Sequence, residues 1–219
     1  MNNIIDKSYC INLDIDMERY NSTKIQFEKH NLEVERFSGI DGRNIKLSDY
    51  PNIIKKDSLL FQNKKGSCGC YISHILLWDK ILKDNDSEII LILEDDIIID
   101  NNFENKFLKY YKDVPDDWDL LYLGTGKHLG KKINKNIMKP KIGSFIGYNN
   151  GTFGYIIKKT SIEKIKKLIL PIKNKTIDFV IRNNFKNIKA YFFINKIILH
   201  NYNFIPTKKN IDKNKNIGN

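Results

Sequence analysis

The sequence predicts an α/β fold with a mostly parallel central sheet flanked by helices. Two patterns carry that expectation. Short apolar runs alternate with stretches of helical period along the 219 residues, the order that builds a sheet from strand–helix–strand units. The run EIILILE (88–94) is apolar at nearly every position, as a strand covered on both faces must be. A chain of this length suits one domain, drawn here over residues 1–206. The low-complexity basic stretch TKKNIDKNKNIGN (207–219) is expected to be a disordered tail.

The elements follow in order. SYCINLD (8–14) is apolar enough for a short buried strand. The next residues predict a helix with Met17, Tyr20 and Phe27 on its apolar face and Asp16 as its cap. VERFSGIDGR (34–43) reads as a second strand ending in a turn. Residues 44–66 are polar, contain Pro51, and predict a loop with short helices. GSCGCYISHILLWDKIL (66–82) predicts a helix burying Tyr71, Ile75, Trp78 and Leu82. After the strand at 88–94, residues 101–113 predict a helix and DWDLLYLG (117–124) a strand. Residues 125–150 have no clear period and predict a long loop. A strand at 152–159 leads to a helix opened by Thr160, with Glu163 completing a capping box. A short helix at 176–185 and one or two strands at 189–202 finish the domain.

The balance of 37 Lys and Arg against 26 Asp and Glu gives a net charge of +11. Such a balance suits anionic partners, but the lysines are scattered rather than gathered in a stripe. No specific nucleic-acid partner is therefore expected, while peripheral membrane contact through lysines stays open. Cys10, Cys68 and Cys70 are an odd number without zinc spacing. They read as reduced thiols, which favours a reducing compartment. There is no apolar leader and no membrane-spanning run. A cytoplasmic protein is expected, its oligomeric state open.

Glu94, Asp95 and Asp96 interrupt the most apolar stretch of the chain. Adjacent buried acids are costly unless paired or bound to a metal. In open α/β sheets ligands bind beyond the carboxyl ends of the strands, and these acids stand where the strand ends. The sequence thus places them at a rim, where such oxygens suit a hard cation shared with phosphates. The oily III that follows is expected to pack back onto the core. Ser73 and His74 adjoin, but neighbours on a helix do not face each other, which argues against a nucleophilic triad.

INLDIDMER, FSGIDG, GSCGCYISHILLW, LILEDD, DWDLLYLG and GTFGYIIKK occur in that order over residues 6–180. Together they resemble glycosyltransferase family 25, the lipopolysaccharide-biosynthesis and collagen-galactosyltransferase family. One departure is CYISH, where the family usually shows a smaller residue before Leu-Ser-His. The resemblance implies a GT-A-like nucleotide-diphospho-sugar transferase fold and a UDP-sugar donor. Galactose is the first expectation and glucose the second. It also implies Mn²⁺ or Mg²⁺, inversion at the sugar carbon, and a glycan or protein hydroxyl as acceptor. By position it assigns Glu94 and Asp96 to the metal, joined by His200, and Asp95 to the donor. Asn12 and Leu13 would meet base or ribose, Arg19 a phosphate, and Asp41 and Gly42 the ribose. His74 would lie near the donor, Asp178 would be the general base, and Gly151, Thr152 and Tyr155 would line the acceptor side. The rival readings are a Mg²⁺-dependent nucleotidyl or phosphoryl transferase, an inactive transferase relic and a basic nucleic-acid-binding protein.

Overall fold

The computed structural model describes residues 1, 4–143 and 149–203. Its order is β1 (Lys7–Asn12), α1 (Met17–Lys29), β2 (Glu35–Ser38), α2 (Leu59–Asn63), α3 (Lys65–Lys83), β3 (Ile89–Glu94) and β4 (Ile97–Ile99). Then come α4 (Phe103–Tyr111), β5 (Leu120–Gly124), β6 (Gly130–Lys132), β7 (Ile137–Pro140) and β8 (Gly154–Lys158). The last elements are α5 (Lys159–Ile169), α6 (Ile177–Asn183), β9 (Ala190–Phe193) and β10 (Ile198–His200).

Eight strands form one sheet in the order β2-β1-β3-β8-β5-β9-β7-β6. β8 and β7 run against the other six. The α/β expectation therefore holds, with β3 parallel to β1 on one side and antiparallel to β8 on the other. Strand alternation divides the core. Ile90 and Ile92 face α3, α5 and α6, packing with Trp78, Ile165 and Ile181. Leu91 and Leu93 face α1 and α4, packing with Phe27, Phe103 and Phe107. Both faces are covered, which is why β3 reads as a continuous oily run. No helix is long and apolar enough to cross a membrane among the described residues.

Several local expectations are corrected. Residues 125–150 are not one loop: β6 and β7 form a hairpin whose Ile137 is fully buried and whose β7 pairs with β9. The sign was hidden because β6 and β7 are short and Lys-rich, and Ile137 and Pro140 are the two buried positions of β7. Helix α5 starts at Lys159, and Lys158 at its N-cap makes no side-chain cap bond, so Thr160 and Glu163 form no capping box. Met17 is exposed, so the apolar face of α1 is narrower than predicted. Asp16 does hold the N-cap position, though its side chain makes no cap bond. The 189–202 stretch gives two strands. The oily III is β4, with Ile97 and Ile99 buried and Ile98 turned out. The tail at 207–219 lies outside the described residues.

Candidate active site at the carboxyl rim of the sheet

β1, β2 and β3 are parallel neighbours, so their carboxyl ends open onto one edge. A cleft of about 330 Å³ lies there. Asn12, Leu13, Arg19, Asp41, Gly42, His74, Glu94, Asp95 and Asp96 all line it. The sequence named these nine from separate stretches, and the fold gathers them.

One polar stripe of α1 holds the acids. Arg19, Thr23 and Gln26 are spaced by four and three, so they share a helix face. Arg19 Nη2 bridges Asp95 Oδ1 at 2.5 Å and Asp96 Oδ2 at 2.8 Å. Thr23 Oγ1 donates to the Asp95 carbonyl at 2.6 Å, and the Gln26 amide pairs with the backbone of Ile97 and Ile99. From β1, Asn12 Nδ2 donates to Asp95 Oδ2 at 2.7 Å, and Arg36 Nε donates to Asn12 Oδ1 at 2.8 Å. Asn12 is almost fully buried. Asn12 and Arg19, expected at a base and a phosphate, make intramolecular bonds here that aim the acids.

The three carboxylates sit in unlike surroundings. Burial pushes Asp95 up to about 6, against the pull of Arg19 and Asn12. Burial also acts on Asp96, but the His200 hydrogen bond and the Arg19 charge outweigh it and hold Asp96 below the usual range. Glu94 turns to the α3 side. Its Oε1 accepts from Thr152 Oγ1 at 2.8 Å and lies 3.4 Å from His74 Nε2.

His200 reaches the rim on a two-stranded ribbon. β10 pairs antiparallel with β4, setting His200 opposite Ile97, and Asn201 N donates to the Asp96 carbonyl at 2.7 Å. His200 Nε2 lies 3.3 Å from Asp96 Oδ2, a bond that raises the imidazole above its ordinary value. Asp96 and His200 are therefore brought together, whereas Glu94 is directed away toward His74. Asp96 Oδ1 and His200 Nδ1 are buried without a hydrogen-bond partner among the described residues. An unpartnered carboxylate oxygen at this rim is the type of donor that a divalent cation takes, its other ligands coming from a substrate.

Other residues find plainer roles. Asp41 is clasped by Arg43, whose Nε and Nη2 each donate at 2.8 Å. Gly42 is required by packing: an added Cβ would lie 1.8 Å from the Lys65 carbonyl at the start of α3. Ser73 Oγ accepts from Ile40 N and donates to the Gly69 carbonyl, both at 2.8 Å, so it pins the β2 turn to α3 and is no nucleophile. Tyr155 is buried rather than on an acceptor surface; its hydroxyl meets His74 Nδ1 at 2.9 Å and accepts from Trp78 Nε1 at 3.0 Å. Asp178 stands in the first turn of α6, outside the cleft lining. Its Oδ2 accepts from Gly151 N at 3.2 Å and its Oδ1 from Thr176 Oγ1 at 2.5 Å.

A family model described as glycosyltransferase family 25 (LPS biosynthesis protein) matches residues 5–181. This chain belongs to glycosyltransferase family 25. A "Glycosyltransferase 25 family member" from Aedes aegypti is 33% identical over 178 residues, covering 74% of this chain and 27% of the relative. "Procollagen galactosyltransferase 2" from Homo sapiens is 24% identical over 176 residues, covering 75% of this chain and 27% of the relative. The chain thus spans about a quarter of the length of these curated relatives. A solved glycosyltransferase involved in glycosylation of the major capsid of PBCV-1 aligns over 91% of this chain and 93% of its own. It does so at 10% identity and a TM-score of 0.47, a likeness too distant to carry over to the site.

Within this family 25 chain, sequence reasoning missed Thr23, Gln26 and Arg36. For Thr23 and Gln26 the signal was a polar stripe on a helix where an apolar one was sought; Arg36 stands on β2. Thr152 was expected on the acceptor side, yet it contacts Glu94 directly. That contact follows from topology, since β8 runs antiparallel to β3 and starts where β3 ends.

Proposed function

We propose that this chain is a metal-dependent glycosyltransferase that moves a hexosyl group from a UDP-sugar, with inversion, to a hydroxyl of a glycan or protein. Galactose is the first donor expected and glucose the second; the procollagen galactosyltransferase relatives support that order. One observation carries the metal and donor reading. Asp96 presents a buried, unpartnered carboxylate oxygen at the rim where three parallel strands end.

In this reading Asp96 and His200 would hold a Mn²⁺ or Mg²⁺ ion, and Glu94 would join them by turning away from His74. Such an ion, when bound, neutralises the charge growing on the departing diphosphate. Arg19 and Asn12 keep Asp95 and Asp96 from relaxing away from one another. Asp178 takes the proton of the acceptor hydroxyl, both its oxygens being fixed by donors from Thr176 and Gly151. The cleft admits the nucleotide between the β1 and β2 ends, with Leu13, Asp41 and Gly42 along its wall.

The test is UDP release from a panel of UDP-sugars, with Mn²⁺ and with chelator, for wild type and Asp96→Asn. Release with one sugar, lost on chelation and in the variant, is the expected result. No release from any sugar, together with no UDP binding by calorimetry, overturns the reading in favour of an inactive relic.

A further inference from the structure

The motif GSCGCYISHILLW contributes two ligand atoms, from Cys70 and His74, that the proposed transfer reaction does not use. Cys70 and His74 are four apart on α3, so they lie one above the other on the same face. Glu94, at the end of β3, turns toward them. Their Sγ, imidazole nitrogen and carboxylate oxygen all lie within 4.8 Å of one another. We propose that Cys70, His74 and Glu94 form a site for one thiophilic divalent cation of the zinc class, on the α3 wall of the cleft.

The geometry is close to what such an ion needs. With Zn–S of about 2.3 Å and Zn–N or Zn–O of about 2.0–2.1 Å, tetrahedral ligand atoms stand roughly 3.3–3.6 Å apart. His74 Nε2 and Glu94 Oε1 are already 3.4 Å apart. The thiol has at most about 1.5 Å to close, a change within reach of one side-chain rotation. Sulfur, nitrogen and oxygen donors select zinc over magnesium or manganese. The ring of His74 is set from behind by Tyr155, itself held by Trp78, the outer-layer support that metal-binding histidines use. Cys68, two residues earlier, is sealed in the core, whereas Cys70 lines the cleft. Among the described residues no hydrogen bond is made by the Cys70 thiol. On binding, its proton passes to solvent and the proton of His74 sits on Nδ1, donated to the Tyr155 oxygen. The fourth position faces the cleft.

The site shares Glu94 with the hard-cation position, so filling it withdraws that carboxylate from the donor's ion. This consequence rests on the transferase reading; the binding itself does not. The probe is Co²⁺ added to the full chain under a thiol-free reductant. One equivalent is expected to give the near-ultraviolet thiolate-to-cobalt absorption band, displaced by one equivalent of Zn²⁺. Cys70→Ser, checked for folding by circular dichroism, loses the band and binds Zn²⁺ roughly 100-fold more weakly, at least what loss of a supporting partner does elsewhere. No band in wild type, or a full band in Cys70→Ser, overturns the proposal. In a second arm, the ratio of UDP release with and without Zn²⁺ is expected to fall at least about tenfold in wild type. In Cys70→Ser it is expected to stay near one. A protein that releases no UDP but gives the band fails the transferase reading alone.

Discussion

Asp95 is the residue whose environment most opposes its charge. It is 6% exposed, and burial pushes its carboxyl up to about 6 despite Arg19 and Asn12. In the unfolded chain an aspartate titrates near 3.9. The folded state therefore binds this proton more tightly, and Asp95 favours folding below about pH 4. That contribution is lost as pH rises through about 6, a span of two units or about 2–3 kcal/mol. Asp95→Asn removes the titration while keeping the shape. In metal-free buffer, urea unfolding is expected to show the variant gaining about 2–3 kcal/mol on wild type between pH 4 and pH 7. A gap that stays constant would mean that the Arg19 pair fully offsets burial. At this scale the sequence revealed the acids but not their partners. Three carboxylates in a row are visible, yet Asn12 and Arg19 stand 83 and 76 residues away from Asp95. Only the folded sheet brings them together.

The elements that build the rim meet through missing side chains. Gly124 and Gly154 face each other across β5 and β8, and β10 crosses directly over them. A Cβ on Gly124 would lie 1.9 Å from the Ile198 carbonyl, and one on Gly154 would meet the Ile198 side chain at 2.7 Å. The ribbon that carries His200 to Asp96 depends on that clearance. Gly124→Ala is expected to destabilise the fold by about 1–3 kcal/mol, the usual penalty of overpacking. It also displaces His200, so metal-dependent UDP release falls by more than the stability loss explains. Gly126→Ala, where the nearest atom to a new Cβ is 3.5 Å away, is the control and is expected to stay within about 0.5 kcal/mol of wild type. Thermal unfolding and the release assay decide the pair. Strand and helix identities in the first half were legible because periodicity there is strong and both sheet faces are oily. The β6–β7 hairpin was not, since β6 has no buried residue and β7 has two. Such strands are specified by their partners rather than by their own composition.

Across the whole molecule, the two halves of the chain supply different parts of the proposed reaction. Residues up to Asp96 make the donor cleft, while the segment before β8 brings Thr152 to Glu94, β10 brings His200 to Asp96, and α6 sets Asp178 beside Gly151. The cleft is lined by Asp16, Asp41, Glu94, Asp95 and Asp96 against Arg19 and Arg43, so the net charge of +11 is not concentrated there. Asp178 gives the sharpest test of this division. Its carboxylate is fixed by Gly151, whose backbone takes a φ of +95°, and by Thr176 at the cap of α6. It does not line the donor cleft. If Asp178 is the base, Asp178→Asn lowers kcat by about 10²–10⁴-fold, the usual worth of a positioned general base, with donor KM unchanged. The amide keeps one acceptor for Gly151 N, so the loss is not expected to be one of folding. Slow UDP release without acceptor, in which water replaces the sugar hydroxyl, is expected to fall less. A variant that loses donor affinity in step with kcat would instead make Asp178 a residue that holds the Gly151 turn. That outcome would leave the base to be sought among groups nearer Glu94.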